Sequence, residues 1–82
     1  MQLNLLFFAA AREAAEGLSE ARLAVESGLT VAGLRARLIE EWPRLERLLP
    51  RCRLAVNETF VDDAALLTEG DEVAVIPPVA GG

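Results

Sequence analysis

The fold is decided by one segment of the chain, residues 30–43, which reads TVAGLRARLIEEWP. Its apolar side chains recur at spacings of three and four residues, which is the period of an α-helix with one buried face. Thr30 is a suitable N-cap, because its hydroxyl can accept a hydrogen bond from a free N–H of the first turn. Pro43 ends the segment, since the residue before a proline disfavours helical geometry. We therefore predict one helix that packs on a sheet through Val31, Leu34, Leu38 and Trp42.

Two strand patterns precede this helix. Residues 2–9 form an apolar run that predicts a central strand buried on both faces. Residues 19–26 alternate between apolar and polar side chains, as a half-buried strand does. Between them, residues 10–16 are rich in Ala and Glu and predict one or two helical turns, ended by Gly17.

Three further strands are predicted after the helix. Residues 53–56 and 59–61 flank a turn at Asn57-Glu58, and residues 72–76 form the last strand. One main helix crossing a mixed sheet of four or five strands, with one or two short helices, is the β-grasp arrangement of α+β proteins. We expect residues 1–78 to form this domain, with its first and last strands side by side in the middle of the sheet. Residues 79–82 are expected to be a flexible Gly-Gly tail.

The composition excludes several classes of partner and location. The 82 residues are 52% hydrophobic and 26% charged, which suits one globular domain, and the net charge is −5. Such a charge opposes binding to nucleic acid and suits a partner protein with a basic docking cleft. The longest apolar stretch, residues 5–11, is too short for a membrane helix, and the N-terminus lacks the pattern of a secretory signal. We therefore expect a cytoplasmic protein with no nucleic-acid or membrane partner.

The chain lacks the residues that most catalytic mechanisms require. It contains no His, Tyr or Lys, which excludes mechanisms based on those side chains. Cys52 is the only cysteine and is interpreted as a small apolar filler beside a strand, so no metal site is predicted. The adjacent carboxylates are interpreted as solvated charge, at Glu40-Glu41, Asp62-Asp63 and Asp71-Glu72. The sequence thus predicts no self-contained active site, and without Lys no side chain can accept an isopeptide bond.

The C-terminus carries the remaining candidate chemistry. The sequence closes on PPVAGG, residues 77–82. Two prolines stiffen the exit from the sheet, and two glycines give a thread that can enter a narrow channel on another protein. A carboxylate is a poor electrophile, but adenylation by ATP would make Gly82 an acyl donor. Sulfide or a persulfide could then displace AMP and leave a thiocarboxylate.

In three motifs the sequence resembles the small subunits of molybdopterin synthase, which are ubiquitin-like sulfur carriers. The first is Leu6-Phe7-Phe8-Ala9 followed by Arg12-Glu13, and the second is Ala55-Val56-Asn57. The third, which is the most specific, runs from Gly70-Asp71-Glu72-Val73-Ala74 into the closing PPVAGG. The motifs occur in the family's order, and the resemblance covers essentially the whole chain.

The resemblance implies a mechanism in which this chain is a carried cosubstrate rather than a catalyst. An activating enzyme of the ubiquitin-activating kind would use ATP to form a transient adenylate at Gly82, which is then sulfurated to 1-thioglycine. The tail, Pro78, Val79, Ala80, Gly81 and Gly82, would enter the large catalytic subunit within a heterotetramer. There the thiocarboxylate would deliver sulfur to cyclic pyranopterin monophosphate. No permanently bound cofactor is expected.

Three alternatives and one surface prediction complete the interpretation. The chain could be a thiamine-thiazole sulfur carrier, which Pro77-Pro78 and the Leu-Phe-Phe-Ala opening disfavour. It could be a protein modifier joined through Gly82 to lysines of targets, or an interaction domain with a fraying tail. For any of these, we predict an apolar docking patch near the sheet, rimmed by Asp and Glu and drawn from Phe60, Val73 and Val75. We expect at least two of these three residues to pack in the core.

Overall fold

The computed structural model describes residues 1–78, in which one mixed sheet of five strands packs against a single main helix. The strands are β1 (Gln2–Phe7), β2 (Glu20–Ala24), β3 (Arg53–Val56), β4 (Thr59–Phe60) and β5 (Glu72–Ile76). The helices are α1 (Ala10–Ala14) and α2 (Val31–Glu41), and two single 3₁₀ turns follow α2 at Pro43–Leu45 and Leu49–Arg51. The prediction of an α+β, β-grasp domain is confirmed.

The strand order is β2-β1-β5-β3-β4, so the first and last strands lie side by side as predicted. They are parallel, with Leu5 opposite Val73 and Phe7 opposite Val75. The other neighbouring pairs are antiparallel. The last strand therefore runs through the centre of the sheet before the chain leaves the domain.

The main helix begins and ends where the sequence predicts. The Thr30 hydroxyl oxygen accepts a hydrogen bond from the backbone N–H of Gly33, at 3.1 Å. Trp42 lies just past the last turn, and its backbone N–H still donates to the Leu38 carbonyl oxygen at 2.8 Å. Val31, Leu34 and Leu38 are fully buried against the sheet.

The prediction that residues 2–9 form a strand buried on both faces is wrong. The strand ends at Phe7, and its side chains alternate between buried and accessible along most of its length. Leu3, Leu5 and Phe7 face the helix, whereas Asn4 on the other face is exposed. The physical reason is that one helix covers only one face of the sheet, so the second face stays open and a central strand is half-buried.

The open face has its own row of small and apolar side chains. Ala74 lies opposite both Leu6 and Ala55, and Ala55 lies opposite Phe60 on the edge strand. The two alanines are buried there, while Phe60 is 49% exposed. A strip of apolar surface thus crosses the open face and ends at Phe60, close to where β5 leads out of the domain.

Candidate functional site

The tail leaves the domain at a fixed point on the open face. The last strand ends at Ile76, after which Pro77 is buried and Pro78 is exposed. The predicted tail residues Val79, Ala80, Gly81 and Gly82 lie outside the described residues. Pro77 has no N–H to continue the sheet, so the strand ends before it. Because Pro77 is itself buried, the point from which the tail starts is held in place by the domain.

A shallow groove surrounds this exit and has a volume of about 370 Å³. Apolar side chains form its floor, and two arginines stand at its rim; it is lined by Arg51, Arg53, Phe60, Ile76, Pro77 and Pro78. The guanidinium carbon of Arg53 lies 3.7 Å from the centroid of the Phe60 ring. We call this feature the tail-root groove.

Of the predicted docking patch of Phe60, Val73 and Val75 only Phe60 remains, and the expectation that at least two of the three pack in the core is confirmed. Val73 and Val75 are fully buried, because they lie on the same face as Leu5 and Phe7 and pack under the helix. Phe60 is exposed, as the patch requires. The predicted rim of Asp and Glu is wrong at this place, since the charged residues that line the groove are arginines.

Sequence reasoning missed Ile76 and Arg53 as surface residues beside the tail. Alternation along Glu72–Ile76 carries the signal, because counting by twos from the polar Glu72 places Ile76 on the same face. The register then sets Ile76 opposite Arg53. The run of residues 73–76 is apolar throughout, so its alternation is missed when the strand is interpreted as buried on both faces.

Two of the motifs behind the family resemblance meet in a structural clasp. The side-chain amide of Asn57 donates to one Asp71 carboxylate oxygen at 2.9 Å, and its own oxygen accepts from the Glu72 backbone N–H at 3.0 Å. The other carboxylate oxygen of Asp71 accepts from the Thr68 backbone N–H at 2.8 Å. The clasp ties the β3–β4 turn to the start of β5, so these motifs hold the last strand in register rather than doing chemistry.

The clasp predicts a loss of stability in acid. The backbone N–H of Thr68 holds the pKa of Asp71 below its usual range; burial opposes this, and bonds from the Asn57 and Thr68 side chains assist it. A carboxyl whose pKa is lowered by folding contributes stability above its unfolded pKa of about 3.9, and loses it as the pH falls through the folded pKa. We expect the urea midpoint of the wild type to fall steadily below about pH 5. Asp71→Asn should have a lower midpoint at pH 7 and a shallower decline in acid.

The matched control for this prediction is Glu46→Gln, which neutralises an exposed carboxylate on the loop after α2. Its acid decline should match that of the wild type. Equal declines for the wild type and Asp71→Asn would contradict the role assigned to the clasp.

Cys52 is buried at 4% exposure, which confirms its interpretation as a filler beside a strand. Its thiol donates to the Leu48 carbonyl oxygen at 3.4 Å, and burial raises the pKa of this thiol above its ordinary value. Since the thiolate is the nucleophilic form, burial and a raised pKa both disfavour this thiol as a sulfur acceptor.

No other described feature resembles a catalytic centre. Within residues 1–78, no group of three or more His, Cys, Asp and Glu side chains is placed to hold a metal ion. The neighbouring carboxylates Glu40-Glu41 and Asp62-Asp63 are exposed, as predicted. The interpretation of Asp71-Glu72 as solvated charge is wrong for Asp71, which is buried because its carboxylate is hydrogen-bonded in the clasp. In the same part of the chain, neither helix has the length and apolar character needed to cross a membrane. The tail-root groove is thus the candidate site.

The architecture places the chain in the class of β-grasp domains in which the last strand lies at the centre of the sheet and leads into the C-terminal residues. The sequence-family description that matches the chain is "ThiS family", over residues 5–82. The chain therefore belongs to the ThiS family.

Similarities to individual proteins, in sequence and in structure, support this assignment. The chain is 38% identical over 82 residues to the molybdopterin synthase sulfur carrier subunit of Mycobacterium tuberculosis, covering 100% of this chain and 99% of that one. SAMP1 from Haloferax volcanii superimposes with a TM-score of 0.88 at 27% identity, covering 100% of both chains. A chain in the complex of subunits 1 and 2 of the molybdopterin-converting factor from Helicobacter pylori superimposes with a TM-score of 0.72 at 25% identity. The match covers 100% of this chain and 100% of that one.

Proposed function

We propose that this protein is the sulfur carrier subunit of a molybdopterin synthase, acting in molybdenum cofactor biosynthesis. The observation that carries the proposal is the match to the Mycobacterium tuberculosis sulfur carrier subunit along the whole chain, at 38% identity. The tail-root groove supports it, because it provides a contact surface where a partner would receive the tail.

The proposed reaction takes place at the carboxylate of Gly82. A carboxylate oxygen attacks the α-phosphate of ATP on an adenylating enzyme of the ubiquitin-activating kind, and pyrophosphate leaves. Sulfide then attacks the acyl carbon, the C–S bond forms, the C–O bond to AMP breaks and AMP leaves. The product is a thiocarboxylate at Gly82, so ATP is consumed by the enzyme and is not a cofactor of this chain.

The proposed acceptor is cyclic pyranopterin monophosphate, bound in the large subunit. The Helicobacter pylori structure contains subunits 1 and 2 of its converting factor in one complex, which supports a large-subunit partner for this chain. A heterotetramer of two small and two large subunits is the proposed assembly. In this proposal the catalytic side chains belong to the large subunit, and this chain is the carried cosubstrate.

Reconstitution tests this proposal. The chain, its activating enzyme, ATP, sulfide, the large subunit and the pterin precursor are combined, and dithiolene formation is measured by the oxidised fluorescent derivative of molybdopterin. Product that depends on all components supports the proposal. Sulfur transfer to a thiazole precursor and none to the pterin would instead identify a thiamine-type carrier.

Gly81→Val is expected to block this activity while leaving the fold intact. A β-branched side chain restricts the backbone and adds bulk where the tail must pass through a narrow channel. All the described strands and helices lie before residue 81, so the urea midpoint should stay within error of the wild type. Ala80→Gly, which removes a methyl group without changing length, is the matched control and should remain active. Full activity of Gly81→Val would contradict the proposed channel.

A second candidate function is conjugation to other proteins. It is supported by the similarity to SAMP1, the small archaeal modifier protein 1 of Haloferax volcanii. In that function a lysine amine of a target would attack the activated Gly82 and form an isopeptide. Adducts linked through Gly82 on cell proteins would support it. The chain itself contains no Lys, so none of its own side chains could accept such an isopeptide bond.

A further inference from the structure

The tail-root groove differs in charge from the rest of the molecule. The chain as a whole carries a net charge of −5, yet the residues that line the groove include two arginines and no carboxylate. Within residues 1–78 the ion pairs engage Arg35 and Arg37 on the helix, and neither of the two arginines that line the groove takes part in one. The overall acidic charge therefore does not describe the surface beside the tail.

The sheet register holds Arg53 against Phe60. Ala55 lies directly opposite Phe60, and Arg53 is two residues before Ala55, so Arg53 is the diagonal neighbour of Phe60 on the open face. Ala55 is small and buried between them, which leaves room for the arginine to reach the ring. The resulting distance of 3.7 Å from the guanidinium carbon to the ring centroid is a close cation–π contact.

This contact orients the guanidinium for a second partner. The Phe60 ring covers one side of the guanidinium, whose N–H donors lie in the plane of the group. Such a fork matches the two oxygens of a carboxylate. Because the ring already limits the rotation of the side chain, less entropy is lost when the carboxylate binds. Arg53 is thus prepared to bind a planar anion.

The length of the tail determines which protein supplies that anion. Four residues follow Pro78, and four residues span at most about 14 Å when fully extended. Any protein that encloses Gly82 must therefore come within this distance of the groove. Since Pro77 and Pro78 line the groove, a protein that receives the tail would place the surface around its channel mouth against this groove.

Resting on the function proposed above, we infer that Arg53 is a specificity-determining contact for the large subunit. The large subunit presents an Asp or Glu beside its channel mouth, which pairs with the guanidinium of Arg53. An apolar side chain next to that carboxylate fills the space between Phe60, Ile76 and Pro78. The partner's surface at this place is thus acidic, the opposite of what the net charge of this chain predicts.

Charge reversal tests this inference by titration calorimetry with the complete large subunit. Arg53→Glu should weaken binding by at least about tenfold, because a buried charge pair becomes a repulsive one. Arg53→Lys, which keeps the charge but loses the fork, should lie between Arg53→Glu and the wild type. The difference between Arg53→Glu and the wild type should shrink as salt is added.

The matched control is Arg22→Glu, the same charge change on an exposed arginine of β2, which lines a separate groove on the open face. It should bind within about twofold of the wild type, as a distant rim charge does. Both variants should keep the urea midpoint of the wild type within experimental error, because both replace surface side chains. That measurement separates loss of binding from loss of folding.

The outcomes distinguish this inference from the proposed function. Weak binding by Arg53→Glu alone supports the carboxylate partner. Wild-type affinity for Arg53→Glu, or equal losses for both reversals, overturns the inference while the sulfur carrier function stands. Tighter binding by Arg53→Glu also overturns it, and would show that the partner surface is basic or that Arg53 holds the chain's own terminal carboxylate. No binding by the wild type under conditions where the large subunit is folded overturns both.

Discussion

Adding a single alanine after Gly82 is expected to abolish sulfur transfer and leave the fold unchanged. The added residue moves the terminal carboxylate by about 3.5 Å and puts a methyl group at the reacting end. Displacements of only 1 Å in a reacting group can cost about 100-fold in rate, so activity should fall by at least that factor. The measurement is the initial rate of dithiolene formation in the reconstituted reaction.

The extended chain must be shown to be folded and untrimmed. Its urea midpoint should equal that of the wild type, because the last described strand ends at Ile76, well before the added residue. Intact mass after the reaction should show that the alanine is still present. Full activity of a chain that keeps its alanine would contradict a mechanism that depends on the carboxylate of residue 82.

The largest effect on stability is expected from Phe7→Ala. Phe7 is 1% exposed, and its ring packs edge-on against Trp42 with a centroid distance of 5.1 Å. Truncation of a buried Phe costs about 3–5 kcal/mol, which is a large part of the total stability of a domain this small. For a domain of this size, each kcal/mol lowers the melting temperature by about 4–8 °C.

The next residue supplies the matched control for that prediction. Phe8 is 43% exposed, because it follows Phe7 and points to the other side of the sheet. Phe8→Ala should cost no more than about 1 kcal/mol. Thermal melting followed by circular dichroism measures both. Similar melting temperatures for the two variants would show that the burial assigned to Phe7 is wrong.

Local sequence patterns predicted the order and type of the elements well. The helix α2 begins after Thr30 and ends before Pro43, since capping and proline effects act within a few residues. The turn at Asn57-Glu58 was predicted in the same way, and both residues adopt the positive φ of a two-residue hairpin turn. Such signals are local, so one sequence is enough to detect them.

The surface at the tail root was harder to predict because it depends on contacts between distant segments. Arg53 and Phe60 come together with Ile76 only once β3 pairs with both β4 and β5. Sequence alone left open which of Phe60, Val73 and Val75 pack in the core, and the strand period turns Val73 and Val75 toward the helix. The clasp between Asn57 and Asp71 likewise joins residues 14 positions apart.

The most direct test of the sulfur carrier function is the intact mass of the chain after incubation with its activating enzyme, ATP and sulfide. The function predicts a gain equal to the exchange of one oxygen atom for sulfur. Fragmentation should place this gain on Gly82, and it should be absent without ATP and in Gly81→Val. An unchanged mass, with an enzyme shown to be active on another carrier, would contradict the account and leave a β-grasp binding domain without sulfur chemistry.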